Sequence, residues 1–393
     1  MTKQALVIGG TGPTGPLVVE ELISLGFEPT ILHRGTHEIE ALRDDLEHIH
    51  ADPHFAEAMD DALAGRSFEV AVASYGRLRL TAQALIGKCE HFIGISGVAA
   101  YPGYFTTTDH SVTSRLLRPE AMNYATETDA PSSDHRVRAE LSRCCPSHGF
   151  TAKILDAESA VLANAAENHY TATILRYPML YGPRNLTPWE WHVVRRVLSN
   201  RNQILLPEGG HQVHSRLSAW KAASVVGQVL SYRDQIEDGV YNCSDVNLYS
   251  LRQWVERIGA MMGTELEVHS VPFPIAGPAR HMLPYRGATS THAVVSTEKI
   301  RNSLSATAQD DDDVWLERTI EWVCSTWERN SPQWERNIGD YNPNDDDHYL
   351  ALIGELNNRH SPVGILTEPA QTMPMHPYPH PSTPGESTDQ EGR

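Results

Sequence analysis

Residues 4–15 read Gln-Ala-Leu-Val-Ile-Gly-Gly-Thr-Gly-Pro-Thr-Gly. The apolar run from Ala5 to Ile8 has the length and composition of a buried strand, and the stretch from Leu17 to Leu25 alternates as an amphipathic helix. Between them lie Gly9, Gly10, Gly12 and Gly15. Gly10, Gly12 and Gly15 fit G-x-G-x-x-G, and Gly9, Gly12 and Gly15 fit G-x-x-G-x-x-G. Either spacing turns the chain sharply and lets backbone N–H groups reach a pyrophosphate at the positive end of the following helix. The flanking strand and helix supply the context that makes such a pattern informative. The stretch predicts a dinucleotide-binding turn, with Gly9, Thr11, Gly12, Pro13, Thr14 and Gly15 around the cofactor.

A second strand, residues 28–35 (EPTILHRG), ends at His33 and Arg34, about 20 residues beyond the glycine turn. An NAD site would place Asp or Glu here, on the ribose 2′-hydroxyl. Arg34 instead offers a planar fork of donors matched to a 2′-phosphate, which favours NADP over NAD. The next strand, in His-Ile-His-Ala-Asp, ends in Asp52, placed to accept from the adenine amino group. Residues 68–76 give a fourth strand ending at Ser74 and Tyr75, and residues 91–103 a fifth with Ser96 near its carboxyl end. In an open parallel sheet the ligand lies at those carboxyl ends. Residues 104–148 are polar and break the rhythm, a helix over 151–165 carries Lys153 and Glu158, and a sixth strand with its loop follows in TATILRYPMLYGPR.

With 393 residues the chain is long enough for one α/β unit, a smaller lobe and a tail. Its formal charge of −18 argues against a nucleic-acid partner. The five cysteines form no C-x-x-C spacing, so neither a disulfide framework nor a metal site is expected. With a strand starting close to Met1 and no apolar run of ~18 residues, the expectation is a cytoplasmic protein without a membrane partner.

The ordered series GGTGPTG, ILHRG, HAD, FIGISGVAAY, LRYPMLYGPR and GVYNCSDVNLYSLRQWVERIG, together with STEKIRNSL and TIEWV, resembles the extended short-chain dehydrogenase/reductases, in their NAD-dependent epimerase/dehydratase-like branch. The resemblance spans residues 3–327. It implies a Rossmann doubly wound parallel sheet over residues 1–185, to which some later segments return. A smaller α/β substrate lobe with closing helices would cover 186–330, and an extension 331–393, disordered after about 361. A pocket for a small-molecule substrate would lie between sheet and lobe, and a homodimer is open to such a chain.

One feature of that family is missing. Its Tyr-x-x-x-Lys pair delivers a proton from a phenol whose pKa the lysine lowers. None of the five lysines here has a tyrosine four residues earlier. Lys153 falls where the family lysine is expected, with Gly149 in place of the tyrosine, while a second alignment puts Ser132 and Arg136 there. The chain therefore resembles the atypical members. The serine expected on the fifth strand falls on Gly97, one place after Ser96. Ser96, Lys153 and Tyr177 are the catalytic candidates, with Tyr177 and Pro178 where the family's loop meets the nicotinamide and Lys153 on its ribose. Tyr101, Trp191, His214 and Arg216 are the substrate candidates, and Tyr181 reads as packing. Three functions stay open: an NADP-dependent oxidoreductase with a substitute proton donor, a lyase, isomerase or cyclase using the same pocket, and a non-catalytic NADP-binding sensor or scaffold.

The acidic runs at 310–313 and 345–347 read as solvated. A short helix over 348–358 is expected to dock on the body or on a partner subunit. Beyond residue 361, proline, serine and threonine dominate; His376 and His380 there offer metal ligands, but a mobile tail is the expectation.

Overall fold

The structure is a computed structural model, describing residues 3–35, 45–74, 78–101, 125–129, 146–272, 292–304 and 312–358. Seven strands form one sheet: β1 (Lys3–Ile8), β2 (Phe27–His33), β3 (Glu47–His50), β4 (Phe68–Ala73), β5 (Cys89–Gly97), β6 (Thr171–Tyr177) and β11 (Gly239–Asn242). Their spatial order is β11-β6-β5-β4-β1-β2-β3, and every pairing is parallel. This is the doubly wound order expected, with the switch point between β1 and β4. The inner strands are near-continuous runs of Val, Ile, Leu and Ala because helices cover both faces.

One face of the sheet is covered by α1 (Gly15–Ser24) and α6 (Ala219–Ser231), through Val18, Val19, Leu22, Ala222 and Val226. The other is covered by α2 (Ala56–Ala62), α3 (Leu78–Ala84) and α4 (Pro146–Ala166), through Met59, Ala82, Val161 and Ala165. Helix α4 begins five residues before the expected 151. Two late segments return to the sheet: β11 adds its seventh strand, and α8 (Glu298–Leu304) packs Ile300 and Leu304 into the α1 side.

The lobe is built from short two-stranded pairs. β7 (Met179–Tyr181) lies beside β10 (Arg216–Ser218), β8 (Gln203–Pro207) beside β13 (Glu267–Val271), and β9 (Val213–His214) beside β12 (Tyr249–Ser250). Helices α5 (Trp191–Leu198), α7 (Leu251–Met261), α9 (Asp312–Ile338) and α10 (Pro343–Asn358) enclose a tryptophan-rich core.

Two expectations change here. The boundary at 330/331 cuts through α9, whose Trp334 and Ile338 lie in the lobe's core, so the lobe continues at least through α10. The run at 345–347 is also not simply solvated. Asp346 is buried and accepts from Arg196 Nε and Nη2 at 2.9 and 2.8 Å and from the Tyr341 hydroxyl at 2.8 Å. Ile353 packs on Leu205 and Val271, which docks α10 on the body of its own chain. In the other run, Asp312 is buried as well. Among the described residues no helix is long and apolar enough to cross a membrane. The tail beyond 361 lies outside them.

Candidate functional site

The glycine turn has the form the pattern demands. Gly9 sits at φ +84°, a region that favours glycine. A Cβ on Gly10 would come within 2.8 Å of Ile31 Cγ2, and one on Gly15 within 2.1 Å of the Gly10 carbonyl oxygen. The loop closes on itself: Gly12 N–H donates to Gly9 O at 3.3 Å and Gly15 N–H to Gly12 O at 3.1 Å. Helix α1 then starts with Thr14 at its N-cap making no side-chain hydrogen bond, Pro16 in its first turn and no acidic residue there. Gly15 and Val18 N–H donate to Gly12 O and Thr14 O and Pro16 has no N–H, so the Leu17 N–H and the helix dipole are what this turn offers an anion, and the residues present fit a pyrophosphate. Thr11, Gly12 and Pro13 are half-buried around this point.

Neighbouring strand ends support the turn. The Ser74 hydroxyl donates to Ile8 O at 3.1 Å, and Ser74 N–H to the same oxygen at 3.0 Å, tying the end of β4 to the loop. Ser74 thus positions the loop. Arg34 follows β2 directly and is half-buried. Asp52 uses Oδ1 within its own turn, accepting from His54 N–H at 3.0 Å with His54 Nδ1 at 2.6 Å, and Oδ2 takes no part in these two contacts. Tyr75 lies outside the described residues, as do Ser132 and Arg136.

The carboxyl ends of β5 and β6 differ from expectation. The Ser96 hydroxyl donates to Glu158 Oε1 at 2.6 Å. Arg176 grips the same carboxylate with Nε at 2.9 Å and Nη2 at 2.6 Å, both residues being buried. Beside the carboxylate the Arg176 guanidinium is held firmly charged, against the cost of its burial. Its carbon lies 5.0 Å from the centre of the Tyr101 ring, whose hydroxyl donates to Asn242 Oδ1 at 2.8 Å. Burial pushes the Tyr101 phenol up to about 12. Tyr101 is therefore part of a packed network that joins β5, β6 and β11, and its hydroxyl is already engaged.

Tyr177 is corrected more sharply. It is buried on the α6 side, donates to the Ala222 carbonyl at 3.0 Å, and burial raises its pKa well above the ordinary phenol value. Its hydroxyl is thus engaged with backbone rather than offered as an open donor. Lys153, expected on the nicotinamide ribose, lies off the packed face of its helix. The face that α4 turns to the sheet carries Thr151, whose hydroxyl donates to Ala99 O at 2.7 Å, then Leu155 and Glu158. Lys153 lies about 200° around the helix from Thr151 and is exposed.

The other substrate candidates, Trp191, His214 and Arg216, fall in the lobe's interior. Trp191 is buried against Trp327 and Trp334, with Nε1 donating to Glu335 Oε1 at 2.7 Å. His214 is buried in the β9–β12 pair. Arg216 is buried with its guanidinium 4.4 Å from the Trp254 ring centre and Nη1 donating to His214 O and Tyr249 O at 3.3 Å. Arg216 does line a small cavity, together with Tyr181, Trp189, Glu190 and Trp254, beyond the end of β6. It has room for about one water. Burial raises the Glu190 carboxyl, opposed by the Arg216 charge. Tyr181, read as packing, stacks edge-on against Trp254 in this wall.

Reading the sequence missed the Glu158–Arg176 pair and Asn242. A signal was present: Arg176 stands inside an apolar strand, and a charge there needs a buried partner. A cysteine-based search also missed three histidines, His33, His48 and His50, whose ring nitrogens gather at the ends of β2 and β3.

No family profile and no curated protein matches the sequence. Solved structures do match in fold. An epimerase from Methanothermobacter thermautotrophicus aligns with a TM-score of 0.63 at 14% identity, over 84% of this chain and 94% of that one. UDP-glucose 4-epimerase from Thermotoga maritima, solved with UDP-glucose, gives 0.61 at 16% identity, over 82% and 99%. The Thermus thermophilus UDP-glucose 4-epimerase, solved with NAD, gives 0.59 at 16% identity, over 81% and 98%. This chain shares the overall fold of those epimerases.

Proposed function

We propose that the chain binds NADP and works as an oxidoreductase of the epimerase/dehydratase type on a small organic carbonyl or alcohol. The observation that carries this reading is the glycine turn delivering an uncapped helix N-terminus to the carboxyl edge of a parallel sheet at its switch point. Solved structures of the same fold were obtained with NAD, which supports a nicotinamide cofactor. The finer choice of NADP rests on Arg34, in the place where a carboxylate would select NAD.

When bound, the cofactor supplies or accepts a hydride. The glycine turn would hold its pyrophosphate, Arg34 its 2′-phosphate, and Asp52 Oδ2 its adenine. Ser96 faces the expected reaction end but hands its proton to Glu158, so it serves a substrate oxygen only by giving up that bond.

The engaged hydroxyls of Ser96, Tyr101 and Tyr177 favour a second reading, an NADP-binding protein without net turnover. Fluorescence titration with NADPH and NADH, repeated on Arg34→Ala, tests the cofactor. NADPH should bind at least about tenfold tighter, a difference the variant loses. Equal affinities in the unmutated chain would remove the NADP assignment. Deuterated NADPH offered with a panel of aldehydes, ketones and nucleotide sugars then separates the readings. Deuterium transfer to any substrate supports the oxidoreductase, and tight binding with no transfer or scrambling supports the sensor.

A further inference from the structure

The ends of β2 and β3 gather three imidazoles on one face of the sheet. His33 is the register partner of His50, and His48 lies two residues before His50 on the same strand. Residues two apart on a strand share a face, so all three side chains project to the same side. The His33 ring meets His48 at 5.1 Å between centroids and His50 at 4.8 Å, nearly edge-on in both cases. His33 Nε2 is 2.9 Å from His48 Nδ1, and one ligand nitrogen from each of the three lies within 4.8 Å of the others.

We propose that His33, His48 and His50 form a binding site for a divalent transition metal, Zn²⁺ or a borderline ion such as Co²⁺ or Ni²⁺. Tetrahedral zinc bound to imidazoles at roughly 2.0–2.1 Å places the nitrogens about 3.3 Å apart. The spread here is reached by turning the two exposed rings, His48 and His50, towards the buried His33. Two histidines at alternate positions of one strand plus a third on its neighbour make three nitrogen ligands. One coordination position is then left for water or another ligand, the pattern of open rather than closed zinc sites. Glu47, the first residue of β3, points the other way and is engaged with Thr30 and Arg66, so β3 adds no carboxylate from that position. An all-imidazole set selects these ions over Mg²⁺ or Ca²⁺.

The metal-free arrangement shows how the ion enters. Gly35 N–H donates to His33 Nδ1 at 3.2 Å, which puts the ring proton on Nε2, donating to His48 Nδ1. Coordination through His33 Nε2 moves that proton to Nδ1 and turns the exposed Gly35 N–H to water. The ion takes the place of the shared proton between the two rings. The site shares the end of β2 with Arg34, but it needs only the three rings and no bound dinucleotide.

The test uses the full-length protein after chelator treatment. It is titrated with Co²⁺, followed by visible absorption, and with Zn²⁺ in competition with a chromophoric chelator. One ion per chain should bind with micromolar affinity or better. The double variant His48→Asn/His50→Asn, altered only at exposed positions, should keep its circular dichroism and metal-free Tm. It should lose the cobalt spectrum and bind at least about 100-fold more weakly. No binding to the unmutated chain would overturn the proposal. So would equal binding by the double variant, which would assign the ion to others of the chain's 20 histidines.

Discussion

The carboxyl edge of the sheet is finished in two different ways. After β1 the positive end of α1 carries no side-chain cap: Thr14 does not cap it, and no acidic side chain enters its first turn. At β5 and β6, a few strands away, the polar groups are engaged with one another, although Arg176 Nη1 is buried without a partner. Ser96 donates to Glu158, Arg176 clasps Glu158, Tyr101 reaches Asn242 and Tyr177 turns into the core. The first half is arranged to receive a ligand, and the second is braced from within. The same fold can therefore hold a dinucleotide without offering the usual proton donor beside it.

The braced half can be broken most severely at Arg176. Arg176→Met would leave Glu158 buried without its counter-charge, at a cost of about 3–5 kcal/mol in urea unfolding. Adding Glu158→Gln should recover much of that loss. A single variant as stable as the parent would mean that the pair does not brace the sheet.

A related effect appears on acidification. His91, at the start of β5, is buried between Thr171 and Thr173, and burial lowers its pKa from 6.5 to about 4. The unfolded chain takes up this proton near pH 6.5 and the native chain only near 4, so stability should fall as pH drops through that window. The native state is disfavoured by on the order of 3 kcal/mol at the bottom of it. His91→Gln should flatten this slope; an unchanged slope would show that His91 is not held neutral.

In the open half, Gly15→Ala tests the close approach of helix to loop. Its Cβ would meet the Gly10 carbonyl, so about 1–3 kcal/mol of stability and most of the NADPH affinity should be lost. Unchanged binding would mean that the turn does not hold the cofactor.

The smallest effect separates the halves best. Tyr177→Phe removes the hydrogen bond to Ala222 O, costing about 1 kcal/mol, and should leave NADPH affinity alone. A large fall in affinity would put Tyr177 back beside the nicotinamide.

Legibility followed the range of the interactions. The strand–glycine–helix start, the six strands and the helix carrying Glu158 were all readable, because local periodicity and backbone sterics define them. Ends moved by a few residues, as with α4, whose first turn is polar enough to pass for loop. Docking of α10 was half readable: a helix was expected, but Asp346 looked solvated because Arg196, 150 positions away, is invisible along the chain. The exposure of Lys153 has a similar cause. Which face of α4 meets the sheet is decided by Thr151 and Glu158 finding Ala99 and Arg176, not by spacing from an absent tyrosine.

The sequence by itself determined that a parallel sheet opens with a glycine turn suited to a pyrophosphate, that Arg34 stands where an acid is usual, and that no Tyr-x-x-x-Lys pair exists. These are properties of neighbours in the chain, and short-range sterics are enough to write them. Only the tertiary structure decided which hydroxyls are spent and which imidazoles meet. Ser96 and Glu158 are 62 residues apart and His33 and His48 are 15, and hydrogen bonds or ligand sets form only when packing brings such distant groups within about 3 Å.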